Sequence, residues 1–176
     1  MNRRFLMVIG AAAALAGCGG GDAISGSAPP DANARASNRE APRLPAIEVT
    51  DLEGGTVRLA DLAPSEKPIL VWFWAPHCPS CNAEAADVEA FSRRAADSVT
   101  VIGLGAQDDE GMGREFVREH ELTTPRMLYD PSFESWRHFG INGQPAAILF
   151  DRQGAARAGW FGPFPEDEVL SLARRL

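Results

Sequence analysis

The chain is 176 residues long, 45% hydrophobic and 23% charged, which is ordinary for a globular protein and enough for one domain with a real core. Its formal charge of −7 argues against nucleic acid as a partner and against docking on an anionic lipid surface.

At the amino terminus, Arg3 and Arg4 precede the uncharged run FLMVIGAAAALAG, Phe5 to Gly17. The run is short for a membrane span and fits the apolar region of a signal peptide. It ends in LAGC, Leu15 to Cys18, which resembles a bacterial lipoprotein signal. The resemblance implies removal of residues 1–17, lipidation of Cys18 and a tether to a membrane without a span. The plainer alternative is an ordinary secretory signal that leaves Cys18 as a free thiol. Losing Arg3 and Arg4 takes the charge from −7 to −9. An exported chain sits where disulfides persist, and with Cys18 lipidated only Cys78 and Cys81 remain to pair. Residues 18–43 are small, polar and proline-rich, and predict a disordered tether that begins at the lipidated Cys18. The folded domain is expected over 44–176.

That domain opens with AIEVTDLEGGTVRLADL, two alternating stretches about Gly54-Gly55, a hairpin pattern. PILVWFWA, from Pro68, is a dense apolar run that predicts a strand buried on both faces. A helical pattern follows to about Ala96, then a strand over Val99 to Ala106. DDEGMGREFVREHEL predicts a helix despite two glycines, RMLYD a short strand, and PSFESWRHFG a short helix closed by Gly140. AAILFD and AARAGWFG flank RQG as an antiparallel pair. PEDEVLSLARRL predicts a last helix, its acids and arginines placed as the helix dipole favours. The order predicts α/β with a mixed central sheet flanked by helices.

Within WFWAPHCPSCNAEAA, Trp72 to Ala86, Cys78 and Cys81 are two residues apart. The spacing suits a redox couple, half of a metal site or a structural staple. A crossover after Ala75 puts Cys78 at a strand end and a helix start, where unpaired N–H groups and the dipole stabilise a thiolate. Cys78 is then the exposed nucleophile and Cys81 the resolving thiol one turn deeper. On a helical wheel with Glu84 at zero, Val88, Phe91, Ala95 and Cys81 all fall within about 60°. Glu84 is therefore expected to point into the apolar face, with a raised pKa, as a proton exchanger for Cys81. The bland alternative is a solvated acid near the helix start, like Asp87 or Glu89.

FWAPHCPSCNAE, the N-terminal hairpin, the acid three residues past Cys81 and NGQPAAILFDRQG together resemble the thioredoxin-fold proteins. In particular they are similar to the exported TlpA/ResA/DsbE-like branch, including the DsbE-like proteins of actinobacteria. The resemblance covers Leu44 to Leu176. It implies a thioredoxin-like fold with an N-terminal β-hairpin extension and a redox-active disulfide between Cys78 and Cys81. It also implies a cis peptide bond at Pro145, which with Gln144 would present backbone to an extended substrate. The chain departs from the pattern at three positions. Trp72 stands where thioredoxins carry a buried Asp, His77 where a Trp is usual, and Ala86 where Pro is frequent. A protonated His77 would lower the pKa of Cys78 and make the disulfide more oxidising; the alternative is an exposed rim residue.

A peroxidase of the peroxiredoxin type would need Thr three residues before its cysteine, where Ala75 stands. A copper or zinc module is the rival of another class, with His77 beside two thiols and His120 and His138 read as solvated. A three-residue staple would restrain little unfolded chain. The expectation is an extracytoplasmic thiol–disulfide oxidoreductase, lipid-anchored to a bacterial membrane, without cofactor or metal. Its partners are cysteine-containing exported proteins and a membrane redox partner. Oxidation of clients is favoured over reduction in cytochrome c maturation or for another thiol client.

Overall fold

A computed structural model describes residues 41–176. The expected signal peptide, Cys18 and nearly all of the tether lie outside the described residues.

The spine of the fold is β3 (Ile69–Trp74), ILVWFW, with every residue buried. Successive side chains of a strand leave on opposite faces. Leu70, Trp72 and Trp74 accordingly join one apolar cluster, and Ile69, Val71 and Phe73 the other. Each such side chain withdrawn from water contributes roughly 1.5–3 kcal/mol, so both layers of the protein depend on this strand. β4 (Thr100–Ala106) runs parallel to β3, and β5 (Arg126–Asp130) parallel to β4. On the other flank β6 (Ala146–Phe150) is antiparallel to β3, and β7 (Ala156–Phe161) is antiparallel to β6. The hairpin of β1 (Glu48–Asp51) and β2 (Thr56–Arg58) adds to β5, giving the order β2-β1-β5-β4-β3-β6-β7. This is the mixed α/β, thioredoxin-like arrangement with an N-terminal hairpin.

Helices cover both faces. α1 (Pro79–Arg94), α2 (Glu110–Glu119) and α4 (Glu166–Ala173) place Val88 and Phe91, Phe116, and Val169 on the Trp72–Trp74 side. α3 (Glu134–Phe139) lies on the other face, where Trp136 meets Phe73 edge-on at 5.8 Å. Two glycines make the first layer possible. A Cβ on Gly105 would stand 2.7 Å from the Trp74 ring, and one on Gly113 would stand 2.9 Å from Tyr129. The helix over 110–119 tolerates its glycines because one of them lies flat on an aromatic ring.

Two boundaries differ from expectation. The second limb of the hairpin is short, and LADL closes into a 3-10 turn over Leu59–Leu62 that buries Leu59. Pro42 and Arg43, assigned by composition to the tether, are paired. Arg43 bridges Ala155, and the Pro42 carbonyl accepts the Ala156 N–H at 2.8 Å. Ala155 and Ala156, where the chain enters β7, supply the partners, which a proline-rich composition does not reveal.

Candidate active site

β3 ends at Trp74, and α1 starts at Pro79, whose missing N–H costs nothing in a first turn. Between them Cys78 is the N-cap, and its Sγ accepts the Cys81 main-chain N–H at 3.0 Å. The two cysteines form a disulfide, with Cα atoms 5.2 Å apart. The cap that helices usually take from a hydroxyl or carboxylate is here the sulfur itself. Cys81 is fully buried, as its deeper turn predicts. Cys78, expected to be exposed, shows only 4% of its surface, because its bond to Cys81 draws the sulfur against the helix.

Glu84 is 8% exposed, on the same side of α1 as Cys81, Val88 and Phe91. One carboxylate oxygen accepts the indole N–H of Trp72, and Oε2 has no hydrogen-bond partner. Burial pushes the Glu84 pKa up to about 7; the indole bond works against that rise, and the Asp87 charge adds to it. Trp72, noted in the sequence only as a substitution for Asp, is thus the partner of the buried acid. Glu89 is not the solvated acid expected. It is 6% exposed and accepts the main-chain N–H groups of Thr123 and Thr124, both at 3.0 Å, together with their hydroxyls and Arg93. Burial alone would raise its pKa, but the donors, led by the Thr124 hydroxyl, take it down to about 2.

Polar contacts centred on Asn82 hold the cysteine loop. Asn82 donates its amide to the Pro76 carbonyl at 3.1 Å and to the Cys78 carbonyl at 2.8 Å. Its Oδ1 lies 2.9 Å from His120 Nε2, and the His120 ring packs on Phe116 at 4.5 Å. His120, expected to be solvated, is therefore half-buried and bonded to the active-site helix. The apolar ring of Phe116 covers it, which its polar neighbours in sequence conceal.

His77 is exposed at the rim and bound by Asp108, whose Oδ2 lies 2.6 Å from Nδ1 and accepts the His77 main-chain N–H at 3.2 Å. Asp108 and Gln107 both sit at left-handed φ, 54° and 64°. For residues other than glycine that conformation costs roughly 1–2 kcal/mol each, less for Asp. The other ring nitrogen of His77 is 3.3 Å from the side-chain nitrogen of Gln144. The Gln144–Pro145 bond is cis. Pairing of Phe73 with Ala146 sets Pro145 at the end of β3, where the cysteine loop leaves the sheet. Cys78, Cys81, His77, Gln144 and Pro145 are thus gathered at one end of the sheet, with Glu84 beneath on α1. Asp108, Asn82 and His120 were not legible as members of the site. Asp108 and His120 are distant in sequence, and Asn82, although it adjoins Cys81, carries no pattern that marks its bonds to the Pro76 and Cys78 carbonyls.

Among the described residues, no three His, Cys, Asp or Glu side chains come together as metal ligands. His138 Nε2 lies 3.1 Å from the Arg43 carbonyl. No described helix is long and apolar enough to cross a membrane.

Residues 41–158 match the AhpC/TSA family. The soluble secreted antigen MPT53 of Mycobacterium tuberculosis is 32% identical over 90 residues, 51% of this chain and 51% of that protein. The chain therefore spans about half the length of that relative. The thiol:disulfide interchange protein DsbE of Yersinia pestis is 34% identical over 140 residues, covering 75% of this chain and 71% of its own length. Among solved structures, a secreted disulfide oxidoreductase of Mycobacterium tuberculosis homologous to DsbE superposes with a TM-score of 0.62 at 28% identity. That match covers 74% of this chain and 96% of the other.

Proposed function

The chain belongs to the AhpC/TSA family, with a thioredoxin-like fold, and we propose that it is an extracytoplasmic thiol–disulfide oxidoreductase that oxidises the thiols of exported proteins. The observation that carries this reading is the disulfide whose outer sulfur caps α1 and accepts the Cys81 N–H. A thiolate left on Cys78 keeps that bond and the helix dipole, which stabilises the reduced form and makes the disulfide the better oxidant. Ala75, three residues before Cys78, supplies no hydroxyl for peroxide chemistry, so the family's disulfide chemistry is preferred.

A client thiolate attacks Cys78 Sγ, the bond to Cys81 breaks, and the electron pair leaves on Cys81. Glu84, protonated up to about pH 7, returns a proton to that thiolate. A second client thiolate attacks the client sulfur of the mixed disulfide and expels Cys78. The client gains one disulfide, the protein becomes a dithiol, and two electrons pass on to a membrane redox partner. Gln144 and Pro145 would line the client segment beside the reacting sulfurs. Residues 1–17 as a signal peptide and Cys18 as a lipid anchor complete the proposal, keeping the domain at a membrane surface.

Reduction is the second reading, for cytochrome c maturation or another thiol client. It is favoured by Asp108, which compensates any positive charge on His77 and so weakens its pull on the Cys78 thiolate. Equilibration of the Cys78–Cys81 couple with glutathione decides between them. Oxidation requires a potential near the oxidising end of the family of folds, about −120 to −180 mV. A value near that of thioredoxin, about −270 mV, would overturn it in favour of reduction.

A further inference from the structure

We propose that Asp108 is a positioning residue that acts through His77 to orient the side-chain amide of Gln144, and so sets the polarity offered to a client backbone. The inference rests on the thiol–disulfide reading above. It follows from hydrogen-bond roles. A carboxylate only accepts, so the His77 Nδ1 that lies 2.6 Å from Asp108 carries a proton. A neutral imidazole has a single N–H, and Nε2 is therefore left as an acceptor. The Gln144 amide nitrogen stands 3.3 Å from that bare nitrogen, and it must present its NH2 there. The Gln144 carbonyl oxygen is thereby turned away from His77. One carboxylate on the turn before α2 thus fixes an amide on the loop before β6.

The geometry of each link serves the next. Asp108 holds His77 at two points, the ring and the main-chain N–H at 3.2 Å, so both ring and backbone are set. Its carboxylate is delivered by two successive residues at left-handed φ, a departure from favoured backbone at the place where the contact is made. Gln144 precedes the buried Pro145 at the end of β3, so its oxygen becomes a fixed acceptor at the mouth of the site. The complementary ligand is an extended peptide segment flanking a cysteine and offering an N–H donor. Without Asp108, the ring carries its proton on either nitrogen and the amide takes either orientation.

Asp108→Asn tests this, because Asn tolerates left-handed backbone and keeps the shape while losing the acceptor-only group. Nitrogen-15 NMR under alkaline conditions that keep imidazole neutral is expected to show wild-type His77 protonated at Nδ1 and bare at Nε2. In Asp108→Asn, part of the proton population moves to Nε2. With a dithiol peptide as client, KM rises roughly threefold to tenfold, the range of one hydrogen bond, while kcat stays within about twofold. Gln144→Leu raises KM similarly, and the double variant adds little to either single change. A wild-type proton on Nε2, an unchanged KM in Asp108→Asn, or fully additive effects would overturn the inference. If the wild-type protein exchanges with no peptide thiol, the reading above falls, and the NMR result alone decides this one.

Discussion

Glu84 and Glu89 stand on the same helix, both more than nine-tenths buried, and the protein drives them in opposite directions. Burial raises the pKa of each. The difference lies in what surrounds the oxygens. Glu89 is met by two main-chain N–H groups, two hydroxyls and a guanidinium; Glu84 is met by one indole and keeps an unpartnered oxygen. Donors convert a buried acid into a permanent anion that pins a loop, and their scarcity leaves one poised to exchange a proton. The apolar helix face next to the disulfide, and the Thr123–Thr124 turn at the other end of α1, make that distinction.

The comparison predicts three effects of decreasing size. Glu89→Ala leaves the Thr123 and Thr124 N–H groups without their acceptor and should lower stability by about 3 kcal/mol in urea unfolding. A loss below about 1 kcal/mol would show that the turn holds without Glu89, and would break the contrast.

Glu84→Gln sharpens it through pH. Glu84 holds its proton more tightly folded, at about 7, than at its ordinary 4.5. Its contribution to stability is fully present below about 4.5 and is lost as pH rises through about 7. Glu89 runs the other way, contributing above 4.5 and losing that contribution as pH falls towards about 2. Between about pH 5 and pH 8 the wild type should therefore lose about 2 kcal/mol relative to Glu84→Gln. The same variant should exchange thiols about tenfold more slowly at neutral pH with its fold intact; an unchanged rate across pH would remove Glu84 from the chemistry.

The smallest effect belongs to Trp72→Phe, which takes away the bond that restrains the Glu84 pKa. The alkaline fall of the exchange profile, where Glu84 loses its proton, should move upward by less than about one pH unit. A downward movement would mean that the indole acts on Glu84 by excluding water and not by its N–H.

How much of this was legible in the sequence follows from the range of each signal. The buried strand, the helix start at Cys78 and the inward face of Glu84 are local patterns, and all appear where the neighbouring residues place them. On the same wheel Glu89 falls about 140° from Glu84, off the apolar face, and the partners that bury it lie on a loop after α2, beyond the reach of helical spacing. The indole facing Glu84 was hidden inside an apolar run in which Trp72 looked like plain core. His77 was singled out, yet what controls it is a carboxylate that reaches it through two left-handed residues, neither of them glycine. Spacing alone marks none of these contacts, because each depends on which segments the sheet brings side by side.

The sealed position of Cys81 also governs timing. In the proposed reaction a client attached through Cys78 would leave Cys81 on the buried face of α1, out of reach of a second molecule from solvent. The lifetime of that adduct is then a private contest between Cys81 and the client's own second thiol. Under the proposed oxidation, a client whose second thiol is slow to arrive would be handed back unchanged by Cys81, and the site would keep time as well as transfer electrons.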